Sequence, residues 1–303
     1  MKHQILGAGA VGHLVAGMLT RASILSEFIL QPIQKSSLAS HYIFSDKVSS
    51  NQMVRNLSAH ADLTKIEVLW VCVKSYQLKS ALTSIKHKCS AETNIVLMQN
   101  GMGNLEIAIE VLGDVVAENQ LFVVSNTHGA YLELRPNNAV IHHTGIGQMK
   151  LGGNFLGSGV EKPIFLDSLP TTMNISWHKD IESELWLKLG INAVINPLTA
   201  IYQCRNGELA RNQHYKNIVD KLLSELIVFY KHINRQHIAD LITKRCYEVI
   251  HNTSDNYSSM LRDVQAGRKT EIHAITGYLL NAAYETKLVL AEHKSLYHRL
   301  QNT

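Results

Sequence analysis

Four cysteines in 303 residues are too few for a disulfide scaffold, and none of Cys72, Cys89, Cys204 and Cys246 forms a CxxC pair. Reduced thiols in a cytoplasmic protein are the expectation. Charge is sparse as well: charged residues make up 18%, the net charge is +4, and there is no long run of Lys or Arg. The basic stripe of a nucleic-acid-binding protein is therefore missing, and a small anionic ligand suits this balance at least as well. No uncharged run approaches the ~20 apolar residues needed to span a bilayer, so no transmembrane segment and no membrane partner are expected. Met1-Lys2-His3 followed by small and apolar residues imitates a signal peptide, but glycines and His13 interrupt the stretch. The sixteen histidines are scattered without metal-ligand spacing, so no metal site is expected.

What the chain does have is 46% apolar residues, enough for a sizeable core and for two domains. The most informative stretch is residues 185–200. Lys188, Asn192 and Asn196 stand at i, i+4 and i+8, which lines them along one face of a helix. Nearly every other position is apolar, including Leu185, Trp186, Leu187, Leu189, Ile191, Val194, Ile195 and Leu198. A surface helix would carry charge on its outer face, so the stripe reads as polar but buried. Pro197 cannot donate to the carbonyl of Ala193, which predicts a kink or opening beside Asn196.

The N-terminal half reads as a nucleotide fold. A short strand over Lys2–Leu6 runs straight into Gly7-Ala8-Gly9-Ala10-Val11-Gly12, and helical spacing follows at Val11, Leu14, Val15, Met18 and Leu19. GxGxxG at a first strand-to-helix turn is the dinucleotide pattern. The first glycine makes the turn, the second admits the pyrophosphate and the third lets helix and strand pack. A second strand is predicted over Leu25–Leu30. The acidic ribose ligand expected at its end is missing: Glu27 falls mid-strand, and Gln31, Pro32 and Lys35 follow. Continuous apolar runs at Glu67–Val73 and Asn94–Gln99 predict central parallel strands. Lys74 and Asn100 follow them, at the carboxyl ends where open α/β sheets bind ligands. Leu121–Val124 adds a strand, and the alternation between Asn126 and Leu151 predicts antiparallel strands closing the same sheet.

Helical spacing dominates after about residue 180, over 180–203, 212–235, 238–252, 257–266 and 270–302 with breaks. The fold class is α/β: a Rossmann-type dinucleotide-binding domain over residues 1–175, then an all-helical domain over residues 176–303. Two further polar clusters, Asn256–Asp263 and Gly267–Ile272, lie in the helical half. Glu271, near a helix start, would on its own be no more than favourable dipole chemistry.

These motifs occur together in one order. Gly7-x-Gly9-x-x-Gly12, Lys74-x-x-Gln77 and Asn100-Gly-Met-Gly103 come first. Glu184-Leu-Trp-x-Lys188-Leu-x-x-Asn192-x-x-x-Asn196-Pro-Leu-Thr-Ala200, Asn206-Gly-Glu208, Ser258-Ser-Met-Leu-x-Asp263 and Thr270-Glu-Ile272 follow. In this the chain resembles the ketopantoate reductase (2-dehydropantoate 2-reductase) family, from Gly7 to about Leu280. The segment around Lys188 is specific, whereas the glycine motif is shared with many dehydrogenases. The resemblance implies an NADPH-dependent reduction of a keto acid in pantothenate biosynthesis, with Lys188 as general acid and Glu271 assisting it. It implies that Asn100, Asn192, Asn196, Asn256 and Ser259 hold the keto acid. The loop Gly7, Ala8, Gly9, Ala10, Val11 and Gly12, with Lys74, Gln77 and Asn100, would contact the cofactor, and Gln31 occupies the position where the family commonly has an arginine for the 2′-phosphate. The partners expected are the small keto acid and, as a possibility, a second copy of the chain in a homodimer. Two other readings stay open: a related dehydrogenase for a different 2-keto or 3-hydroxy acid, and a non-catalytic sensor of nicotinamide cofactor.

Overall fold

Strong β-formers in short apolar runs, each followed by a helix, build the first of two compact units, residues 1–99 with 104–181. In the computed structural model, residues 1–29, 42–46, 52–54, 66–135, 139–157 and 160–301 are described. Gln31, Pro32 and Lys35 lie outside them. The elements of the first unit are β1 (His3–Leu6), α1 (Ala10–Arg21), β2 (Ser26–Ile29), β3 (Tyr42–Asp46), β4 (Gln52–Val54), β5 (Val68–Val71), α2 (Leu78–Ile85) and β6 (Asn94–Leu97). They continue with α3 (Asn104–Leu112), β7 (Leu121–Asn126), β8 (Gly129–Leu134), β9 (Ala139–Gly145), β10 (Met149–Gly153) and β11 (Ile175–Trp177).

One sheet has the order β11-β10-β7-β6-β5-β1-β2. From β2 to β7 every pairing is parallel, with β1 between β2 and β5. The run Val68-Leu-Trp-Val71 is buried throughout because it lies between two parallel neighbours and is covered on both faces. Glu27 sits within β2 and pairs with Lys2 at 3.3 Å. Its position within the strand agrees with the sequence reading that sets it aside as a ribose ligand.

The expectation that the stretch 126–151 closes this sheet holds only for β10, which pairs antiparallel with β7. Strands β8 and β9 instead join β3 and β4 in a second sheet of order β4-β3-β9-β8. Period-2 alternation marks a half-covered strand but carries no information about which sheet accepts it. The consequence falls on α1, which packs against β8 and β9 as well as the first sheet. Every residue from Gly12 to Leu19 is buried, including His13. The two sheets and α1 thus share one core, with Ile5, Leu14, Val15, Trp70, Phe122 and Ile141 in it.

The second unit, residues 100–103 with 182–303, is helical. It contains α4 (Ile181–Tyr202), α5 (Glu208–Arg211), α6 (Gln213–His232), α7 (Gln236–Asn252), α8 (Ser259–Gln265), a π-turn (His273–Gly277), α9 (Tyr278–Glu285) and α10 (Ala291–Gln301). Trp186 of α4 meets the rings of Phe229, Tyr230 and Tyr278 at 5.9, 6.2 and 5.8 Å. The buried Tyr230 hydroxyl donates to the Trp186 carbonyl at 2.7 Å. Gly190 makes this approach possible, since a Cβ there would lie 2.6 Å from that hydroxyl. Among the described residues, no helix is long and apolar enough to cross a membrane, and no group of three or more His, Cys, Asp or Glu could hold a metal.

Candidate active site

In the first unit the polar features gather where β1 and β5 end. Gly7 adopts φ +113°, and a Cβ there would come within 2.7 Å of the Val73 nitrogen, so the loop and the end of β5 are pressed together. Gly12 is needed for a different reason: its Cβ would fall 2.0 Å from the Gly7 carbonyl oxygen. Gly9 has no such internal reason. Its φ is an ordinary −85°, and a Cβ would meet nothing within 4 Å. A glycine facing open space at the mouth of a helix leaves room for a ligand to approach the backbone. Helix α1 begins there with no side-chain cap and no acidic residue in its first turn. Its unshared N–H groups and dipole therefore suit an anion, and a dinucleotide pyrophosphate fits this cradle. Ala8, Ala10 and Val11 complete the loop at intermediate exposure.

His13, which the sequence reading used only to set aside a signal peptide, closes this loop from inside. Its Nδ1 lies 2.9 Å from the Gly9 carbonyl, which the His13 backbone N–H also reaches at 3.0 Å. Burial pulls its pKa down to about 4, so the ring is neutral and Nδ1 carries the donated proton. Lys74 is half-buried just past β5, and its backbone N–H donates to the side-chain oxygen of Gln77 at 3.2 Å. Gln77 thus caps the turn that follows Lys74, a local role the sequence motif did not show. The buried Gln99 was also missed. Its amide donates to the carbonyls of Val71 and Val73 at 2.7 and 3.0 Å, joining the ends of the neighbouring strands β5 and β6.

In the second unit the polar stripe of α4 is as the spacing predicts. Lys188 and Asn192 are half-buried, Asn196 is 7% exposed, and their neighbours Leu189, Ala193, Val194 and Leu198 are buried. Helical structure continues through Pro197 to Tyr202. Burial pushes the Lys188 ammonium down to about 8, an effect that the negative Glu271 opposes. Glu271 is itself buried, and Asn100 donates to its carboxylate at 3.3 Å. Asn100, Lys188 and Glu271 are 83 or more residues apart in sequence, and the fold makes them one cluster.

The π-turn holds this cluster from behind. Its Ala274 carbonyl accepts the Met102 N–H at 3.0 Å, and a Cβ on Gly101 would strike that oxygen at 2.2 Å. Gly101, at φ +83°, therefore lets the Asn100 segment dock on the turn that follows Glu271. Asn256 is exposed, and its loop is fixed by the Asn206 N–H donating to the Asn256 carbonyl at 3.0 Å. Ser259 is exposed at the first residue of α8, whose cap is its neighbour Ser258. This second unit presents a cation of lowered pKa beside a carboxylate, with amides and a hydroxyl able to give and accept hydrogen bonds. Such a set can bind a small polar anion and deliver a proton.

Comparison with known proteins follows the same division. Residues 4–154 match the family model described as ketopantoate reductase PanE/ApbA, and residues 180–303 match its C-terminal model. The 2-dehydropantoate 2-reductase of Yersinia pestis is 31% identical over 98% of this chain and 93% of its own. A crystal structure of the probable 2-dehydropantoate 2-reductase PanE from Bacillus subtilis has 29% identity and a TM-score of 0.75, covering 100% of this chain and 99% of that one. A structure of D-mandelate dehydrogenase with NADH and anilino(oxo)acetate superposes with a TM-score of 0.82 at 19% identity, over 98% and 96% of the two chains. That likeness is one of fold alone.

Proposed function

The chain belongs to the ketopantoate reductase family, and from that premise we propose that it reduces the C2 ketone of 2-dehydropantoate to pantoate with NADPH, Lys188 acting as general acid. It is an oxidoreductase of pantothenate biosynthesis. When bound, the nicotinamide supplies a hydride to the ketone carbon. Everything else falls to the protein. Negative charge grows on the ketone oxygen as the carbon is reduced, and a positioned ammonium both stabilises that charge and supplies the proton. What supports the reading is the buried Glu271, which accepts from Asn100 at 3.3 Å and acts on the Lys188 ammonium, itself pushed down to about 8 by burial. Such a group is charged at neutral pH yet gives up its proton far more readily than an ordinary lysine at 10.5.

Glu271 keeps that proton in place, and Asn100 donates to its carboxylate. Asn192, Asn196, Asn256 and Ser259 would take the carboxylate and hydroxyl of the keto acid. Amides and hydroxyls do this without adding a charge that competes with Lys188. The loop Gly7–Gly12 would take the cofactor pyrophosphate, with Lys74 and Gln77 beside it. In the sequence that follows β2, Gln31 would bring no charge to repel a 2′-phosphate, and Lys35 and Lys74 would favour one. The preference for NADPH should be weaker than a bidentate arginine would give. The test is substrate-dependent oxidation of NADPH and of NADH with ketopantoate and a panel of other 2-keto acids. Turnover that is fastest with ketopantoate and NADPH is the expected result. Tight cofactor binding without turnover on any keto acid would overturn the enzyme assignment.

A further inference from the structure

We propose that the hydroxyls of Thr199 and Ser258 form a buried relay that holds Asn196 and Ser259 in register, making Thr199 a positioning residue for the keto acid. This rests on the reading above, in which Asn196 and Ser259 contact that acid.

The geometry begins at Pro197. Lacking an N–H, it leaves the Ala193 carbonyl without its usual donor, yet α4 continues through it to Tyr202. Two residues on, Thr199 is 0% exposed, and its Oγ lies 2.9 Å from the Ile195 carbonyl and 3.0 Å from the Asn196 carbonyl. The same oxygen lies 2.7 Å from Ser258 Oγ, which is also buried. A hydroxyl carries one proton, and a carbonyl can only accept. The geometry makes Thr199 the donor of the contact between hydroxyls and Ser258 Oγ its acceptor, with the Ile195 and Asn196 carbonyls as the other acceptors within reach of that proton.

Ser258 Oγ accepts on a second side too, because as the cap of α8 it takes the Leu261 N–H at 3.0 Å. The two donors converge: the Leu261 N–H and the Thr199 hydroxyl both meet Ser258 Oγ, while the Thr199 oxygen also lies against the carbonyls of Ile195 and Asn196. One end grips the backbone of Asn196 itself. The other fixes the first turn of α8, where Ser259 is the next residue after the cap. Thr199 bonds back to the preceding turn of α4 just where Pro197 leaves the backbone ladder one donor short. Two polar contacts from distant parts of the sequence are thus held at one spacing. Burial makes the relay unforgiving, since removing either hydroxyl loses the contact across to the other and leaves it only its local backbone partners.

Thr199→Val keeps the shape and removes the hydroxyl. It is expected to raise KM for ketopantoate roughly tenfold, with kcat within about threefold and KM for NADPH unchanged. Thr199→Ser restores the hydroxyl and should restore KM. Ser258→Ala should raise KM similarly, and the double variant should rise no further than the larger single effect, because both changes break one relay. A KM within twofold of wild type in Thr199→Val overturns the proposal, whatever happens to Tm. If that variant does not fold, the same criterion applies to Ser258→Ala. Asn196→Ala and Ser259→Ala test the underlying reading separately. Should both raise KM while Thr199→Val does not, the relay fails and the reading stands. Should neither raise KM, the reading fails, and the relay fails with it.

Discussion

Replacing Glu271 by Gln separates charge from contact at the candidate catalytic pair. Gln keeps an oxygen that can accept from Asn100, which now meets the carboxylate at 3.3 Å, so the cluster retains its shape. What disappears is the negative charge that holds the Lys188 pKa up against burial. An opposite charge at contact range commonly moves a pKa by roughly 1–3 units, so the basic limb of kcat/KM should move from near 8 to about 6.5. At pH 7.5 the protonated fraction of Lys188 would then fall from about three quarters to about one tenth, roughly an eightfold loss of rate. At pH 5.5 nearly all of the loss should return, because Lys188 is protonated in both proteins. The assay is kcat/KM for ketopantoate from pH 5 to 9.5, which reports the ionisation of the free enzyme. A limb that stays near 8 in Glu271→Gln, or a loss equal at every pH, would refute the electrostatic account and leave Glu271 as a binding contact only.

Lys188→Ala is expected to lower kcat by roughly 10²–10⁴-fold with little change in NADPH affinity, and activity within threefold of wild type removes Lys188 from the mechanism. Gly9→Ala and Gly12→Ala should part company: the first folds normally and loses dinucleotide affinity, whereas the second meets the Gly7 carbonyl at 2.0 Å and loses stability. Dye-monitored melting and fluorescence titration with NADPH distinguish them, and equal affinity of Gly9→Ala and wild type would contradict the cradle. His3 and His13 are held neutral at about 4 against an ordinary 6.5, so the unfolded chain binds the extra protons. Stability is thus full above pH 6.5 and falls towards pH 4, by roughly 2–3 kcal/mol for each histidine at pH 4.5. Urea unfolding of His13→Gln should show a shallower acid slope than wild type; an identical slope counts against it. Gln31→Arg should widen the preference for NADPH over NADH and Gln31→Asp should narrow or invert it, read as the ratio of kcat/KM values.

Much of the fold was legible because periodicity is a local property. The apolar run of β5, the glycine turn into α1 and the 3.6-residue spacing of α4 each report on their immediate surroundings. The stripe Lys188, Asn192 and Asn196 was visible for the same reason, since residues four apart share a helix face whatever packs around them. Sequence order also sufficed to separate a β-rich half from a helical one. It could not assign β8 and β9 to a sheet of their own, because strand pairing is settled by partners remote in the chain.

The same division runs through the site. The sequence by itself determined the residue types: three glycines at a first turn, a lysine and two asparagines on an apolar helix, and a glutamate near a helix start. It also supplied the family motif, and through it the expectation that Lys188 and Glu271 work together. The tertiary structure added the atoms behind the separate roles of the glycines, with Gly7 and Gly12 excluding a Cβ against the protein and Gly9 facing open space. Only it set the Lys188 ammonium within the field of Glu271, and joined Thr199 to Ser258 across 59 residues. The reason is physical. Desolvation, charge proximity and hydrogen bonding between distant segments depend on what lies within a few ångströms, and distance along the chain does not encode that.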